Sequence, residues 1–189
     1  MAPSRSTIIN VHLATAAFFL PFAIMFLVTG ALYTVGIKGS NKDRKERVPI
    51  STPLTSNELA PMVAAATEAL DKLGVAKPSG AASVRKSPGG GQELFWGGVA
   101  RDVTLRQTEK NTEVDLVISD ATAYRKLVQL HKGKGSNFAK AISIIWAVGL
   151  AVIFLSGLSM VFASPKFRRI AYISGVLGTV VFIAWYIIG

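Results

Sequence analysis

Cysteine is absent from all 189 residues. Disulfides, iron–sulfur clusters, thiolate zinc sites and a cysteine nucleophile are therefore excluded from this chain. Histidine is almost as scarce, with only His12 and His131. No acidic residue lies before Asp43 or after Asp120. Charge of either sign is missing from residues 8–37, 141–165 and 170–189. Each of these runs is at least about as long as the ~20 residues needed to cross a ~30 Å hydrocarbon core.

What charge there is sits between the apolar runs. Residues 38–140 hold all 11 acidic and 17 of the 21 basic residues, a net of 17 − 11 = +6. The basic residues are scattered and no aromatics interleave with them, so nucleic acid is not an expected partner. Cationic loops of this kind meet anionic lipid headgroups instead. The fold class expected is an integral membrane α-helical protein with three transmembrane helices. A small α+β extramembrane domain is inserted between helices 1 and 2. At the N-terminus, Arg5 precedes an apolar run that continues to Ile37. A signal-peptide core is only ~7–15 residues, so a retained signal-anchor helix is expected.

Along the chain, residues 1–37 read as the N-terminal segment and transmembrane helix 1, which Pro21 kinks. Phe18, Phe19, Phe22 and Phe26 give that helix a bulky flank, and Thr29 and Gly30 a small one suited to close packing. Residues 38–55 read as a basic juxtamembrane linker, with Arg44, Lys45 and Arg47 touching lipid headgroups. Residues 56–133 read as the α+β domain. Ser56 is the expected N-cap, and Leu59, Met62, Val63, Ala66 and Leu70 recur at helical spacing as a core-facing stripe.

Residues 77–92, with two Pro, four Gly and three Ser, read as a loop. Its run Gly89-Gly90-Gly91 lacks the following Lys-Ser/Thr of a phosphate cradle. Strand character follows at 94–99, 103–106 and 113–119, and Asp120 precedes a short helix to His131. Transmembrane helix 2 is expected over 138–163 with Ser156-Gly157 as a packing point, then a basic turn over 164–169. Helix 3 over 170–189 carries Ala171, Gly175 and Gly178 as a packing groove.

Lys166, Arg168 and Arg169 in the short turn argue for a cytoplasmic, headgroup-touching turn, and Arg5 for a cytoplasmic N-terminus. The domain and the C-terminus are then on the far side. The basic residues of 38–47 and 125–140 oppose this, but loops longer than ~60 residues translocate largely regardless of charge.

The order of His12, Thr29-Gly30, an α-then-strands insert, Leu130-His131 and Ser156-Gly157 resembles the PepSY-associated transmembrane family of bacterial inner-membrane proteins. The resemblance implies a PepSY-like domain in the periplasm of a multi-pass inner-membrane protein. Some larger members of that family look like haem-containing reductases with a fourth membrane helix, which is not found here. A bis-His haem needs two imidazoles at one depth. The expected positions of His12 and His131 fall near opposite ends of helix 1, ~30 Å apart at ~1.5 Å per residue. No cofactor is therefore expected within this chain alone. Haem or quinone contact through His12 or His131 requires a ligand from a second chain.

No catalytic constellation is found. Asp115 and Asp120 read as structural, and Ser156 has no base to activate it. The leading expectation is a non-catalytic accessory or scaffold subunit of a larger membrane complex, whose partners are the bilayer and other membrane subunits. The alternatives are a haem-dependent electron-transfer or iron-reductase component, and a regulator of an extracytoplasmic peptidase.

Overall fold

The computed structural model describes residues 4–54, 56–88 and 90–188. Gly89 of the glycine run and Gly189 of the third apolar stretch lie outside the described residues. Among the described residues three helices are long and apolar enough to cross a membrane: α1 (Arg5–Thr34), α4 (Asn137–Phe162) and α5 (Pro165–Ile188). Their ends follow local chemistry. The Ser4 hydroxyl accepts from Thr7 N–H at 3.1 Å, and Pro165 occupies the first position of α5, where its missing N–H costs nothing. The turn expected over 164–169 is thus mostly the first turn of α5, because Pro starts helices as readily as it ends them.

Between α1 and α4 the chain forms β1 (Asn41–Pro49), α2 (Leu59–Lys72), β2 (Ala82–Lys86), β3 (Gln92–Trp96), β4 (Arg101–Gln107), β5 (Glu113–Ala121) and α3 (Ala123–His131). The strands make one antiparallel sheet in the order β1-β5-β4-β3-β2. Val48, Leu94, Val103, Leu105, Val114, Leu116 and Ile118 are buried with Met62, Ala66, Ala69 and Leu70 of α2. Burying each large aliphatic contributes roughly 1.5–3 kcal/mol.

Two strands replace expected irregular segments. The basic stretch expected as a linker is β1, an edge strand on which only Val48 is buried, so it carries no alternating apolar pattern. Part of the expected loop is β2, the opposite edge, short and flanked by Pro and Gly. Helix α2 starts at Leu59 instead of Ser56. The Ser56 hydroxyl accepts from Glu58 N–H at 3.1 Å but stands outside the helix, and Leu59 is exposed instead of core-facing. Asp120 belongs to β5 and accepts from Arg101 Nε at 2.6 Å. The cap of α3 is Thr122, whose hydroxyl accepts from Arg125 N–H.

The chain divides into two compact units. The first joins the part of α1 up to Ala23 with residues from Ile145 onward. There Phe19 and Phe22 meet the Trp146 indole with ring centroids 5.5 and 6.1 Å apart. Phe19 also packs directly on Gly149, where a Cβ would fall inside its ring. Helix α5 has no buried residue. The second unit, Ile24–Ile144, holds the end of α1, the sheet, α2 and α3.

Candidate functional site

Helix α3 is stapled to the connector that leaves α1. Tyr124 Oη donates to the Ile37 carbonyl at 3.1 Å, Arg125 to that of Lys38 at 3.0 Å, and Thr122 Oγ1 to that of Ser40 at 3.0 Å. Gly39 adopts φ +70°, and a Cβ there would stand 2.9 Å from the Arg125 backbone. Only glycine permits both the left-handed turn and that approach. The result is a fixed mount for His131, the last residue of α3.

The His131 imidazole lies on α1. Its Nδ1 is 2.7 Å from Thr29 Oγ1, its Cε1 faces Gly30, and its ring packs on Phe26 at 4.6 Å between centroids. Thr29 is 1% exposed. Its hydroxyl also lies 2.6 Å from the Met25 carbonyl. A carbonyl can only accept, so the single hydroxyl proton goes to Met25. Thr29 Oγ1 must then accept from the ring, which places the proton on Nδ1. In the neutral imidazole Nε2 is left with its lone pair, and no hydrogen bond to Nε2 is present among the described residues.

The same device occurs in the other unit. His12 Nδ1 is 2.9 Å from Ser156 Oγ, and Ser156 Oγ donates to the Val152 carbonyl at 2.6 Å. A Cβ on Gly157 would stand 3.4 Å from His12 Cε1. Each histidine is thus held by a hydroxyl residue followed by glycine, with the hydroxyl proton returned to its own helix and the ring forced into the Nδ1–H tautomer.

Beside His131 lies a cavity of about 290 Å³, bounded by Thr29, Gly30 and Tyr33 of α1 and by Val128, His131 and Lys132 of α3. The ammonium groups of Lys38 and Lys132 are 5.3 and 5.8 Å from the centre of the Tyr33 ring.

The sheet face away from α2 carries a row of alternating charge: Arg47, Asp115, Arg106, Glu93 and Arg85, one from each strand. Arg47 makes two bonds to Asp115, at 2.7 and 3.0 Å. Glu93, 1% exposed, receives Arg85 at 2.8 Å and Arg106 at 2.7 Å. Burial pushes the Glu93 carboxyl up, but the bonds from Arg106, Arg85 and Ser87 outweigh it and hold it below the usual range. The bond from Arg47 holds Asp115 down likewise. This row reads as structural, since every carboxylate in it is paired.

The other expected site residues are dispersed. Arg44, Lys45 and Arg47 lie on β1, Arg47 being paired with Asp115. Lys166, Arg168 and Arg169 fall in the first turns of α5, and Arg168 Nε donates to the Phe162 carbonyl at 2.5 Å. Ala171, Gly175 and Gly178 are on α5, with nothing within 4 Å of a Cβ placed at either glycine. Among the described residues no group of three or more His, Asp or Glu is placed to hold a metal ion. Sequence reasoning overlooked Tyr33 and Lys132 beside His131, although Tyr33 falls four residues after Thr29 on the same helix face. No family model, curated protein or solved structure matches this chain.

Proposed function

We propose that the chain is a non-catalytic accessory subunit of a larger complex in a bacterial inner membrane, such as a redox assembly, with its sheet domain in the periplasm. The observation that carries this reading is α5. The helix is apolar, 24 residues long and has no buried residue, and its glycines offer a neighbour close approach. The short basic segment at Lys166–Arg169 supports a cytoplasmic turn. Purification of the full chain in mild detergent is expected to bring down stoichiometric membrane partners. A monodisperse monomer with none would overturn the reading.

The two clasped imidazoles favour a second reading, a haem-dependent component completed by another chain. Haem would supply one-electron chemistry. A metal-ligating imidazole is usually oriented by a hydrogen bond through its other nitrogen, and both Nε2 atoms are left available for ligation. Either His12 or His131 would hold such a group through its Nε2. In this reading the second ligand comes from another chain. A Soret band in the purified protein, lost in His12→Ala or His131→Ala, supports this. A colourless preparation from haem-replete cells excludes it.

A further inference from the structure

We propose that the cavity beside His131 binds the hydroxylated aromatic headgroup of a membrane-soluble quinol. The inference rests on the reading of α1 as a membrane helix, which brings the cavity within reach of lipid-soluble ligands. It does not require the partner complex.

Size restricts the ligand first. About 290 Å³ is at the lower end of small-molecule sites, which run ~300–1,000 Å³. One substituted ring fits within it.

Proton placement restricts it further. Thr29 spends its hydroxyl proton on Met25 and takes the Nδ1 proton of His131, so the neutral ring presents a pure acceptor at Nε2. A quinone carbonyl and a lipid phosphate are acceptors as well, and neither can donate to it. A hydroquinone hydroxyl can. Lys132 lines the cavity, and Lys132 and Lys38 both stand over the Tyr33 ring, so positive charge borders the space the headgroup would fill. The site therefore favours the reduced headgroup over the oxidised one. Thr29 acts as a positioning residue through the tautomer it imposes.

The test uses the full chain in phosphatidylcholine nanodiscs, titrated calorimetrically under anaerobic conditions with decylubiquinol and separately with decylubiquinone. The quinol is expected to bind about tenfold more tightly, the worth of one hydrogen bond that the quinone cannot make. Thr29→Val frees the ring to carry its proton on Nε2 and should bring the ratio close to one, while Thr29→Ser keeps it. Equal or tighter quinone binding in the unaltered protein overturns the proposal without any variant. So does loss of quinol binding in phosphatidylglycerol discs, which would assign the cavity to lipid headgroups. A chain that copurifies with partners yet binds neither probe refutes the quinol site alone. A partner-free chain with the tenfold preference refutes only the accessory role.

Discussion

The Nδ1 atom of His131 lies 2.7 Å from the hydroxyl of Thr29, a residue 102 positions earlier in the chain. The hydroxyl is itself bonded back to Met25, so the pair fixes which ring nitrogen carries the proton as well as where the ring sits. His12 and Ser156 repeat the arrangement. Two nitrogen atoms with open lone pairs are thereby held on rigid helices.

Nitrogen-15 spectra of histidine-labelled protein are expected to show both neutral rings as the Nδ1–H tautomer. Thr29→Val should convert His131 to a mixture and leave His12 alone. Ser156→Ala should do the reverse. Each substitution removes two modest hydrogen bonds, one to the imidazole and one back to the hydroxyl's own helix, worth about 1 kcal/mol each, so the fold survives and the spectrum reports the tautomer. Both rings as Nε2–H in the unaltered protein would refute the clasp.

Gly39→Ala is expected to cost about 2–4 kcal/mol. A left-handed non-glycine residue costs roughly 1–2 kcal/mol, and the added Cβ meets the Arg125 backbone at 2.9 Å. Denaturant unfolding followed by the fluorescence of Trp96, with Trp146 and Trp185 replaced by Phe, measures it. The same variant should loosen α3 and with it the Nδ1–Thr29 bond. Gly36→Ala makes a useful comparison, because Gly36 shares a positive φ but nothing lies within 4 Å of its Cβ position. It should lose only the conformational part.

The three apolar helices were legible because a helix bathed in water keeps a polar face, whereas these runs exclude charge over 20 or more residues. Leu94–Trp96, β4 and β5 were legible because Val103 and Leu105, and Val114 and Leu116, alternate with polar residues, and β-branched Val117 and Ile118 extend the second run. Strand β1 was not. At an edge, paired with β5 on one side only, Asn41–Arg47 needs no apolar residue, and its charges imitate a lipid-binding flank. The histidine clasps were half legible. Thr29-Gly30 and Ser156-Gly157 stood out as small pairs suited to close approach, but sequence cannot show that what approaches each is an imidazole from another helix. The stapling of α3 to Ile37, Lys38 and Ser40 uses backbone carbonyls, which leave no mark on composition.

Gly149→Ala is expected to destabilise the packing of α1 on α4 by about 1–3 kcal/mol, the usual cost of overfilling a tight contact. The Phe19 ring already occupies the place of the new methyl and is confined by Trp146 and Phe22. Phe19→Leu shortens the side chain and should recover part of the loss when combined with Gly149→Ala. Thermal unfolding of the helical circular-dichroism signal in detergent reads both. Strict additivity of the two changes would show that the residues do not touch.

Acid should unfold the sheet domain over a window set by its paired carboxylates. Glu68 is held down to about 2, chiefly by Lys72 and then by Ser51, and Asp115 and Glu93 are also lowered. In the unfolded chain these groups return to about 3.9–4.3. The unfolded state thus binds protons first as pH falls, so the stability these groups contribute is fully present above about pH 4.5 and is lost toward pH 2. Glu93→Gln keeps the shape but replaces charge-assisted bonds from Arg85 and Arg106 with neutral ones, at a cost of about 1–3 kcal/mol at neutral pH. Because the lost interaction is the one acid removes, the variant and the unaltered protein should converge as pH approaches 2. Urea midpoints measured between pH 7 and pH 2.5 on the full chain, again through Trp96, test this. A gap that stays constant with pH would mean that Glu93 acts by packing and not by its charge.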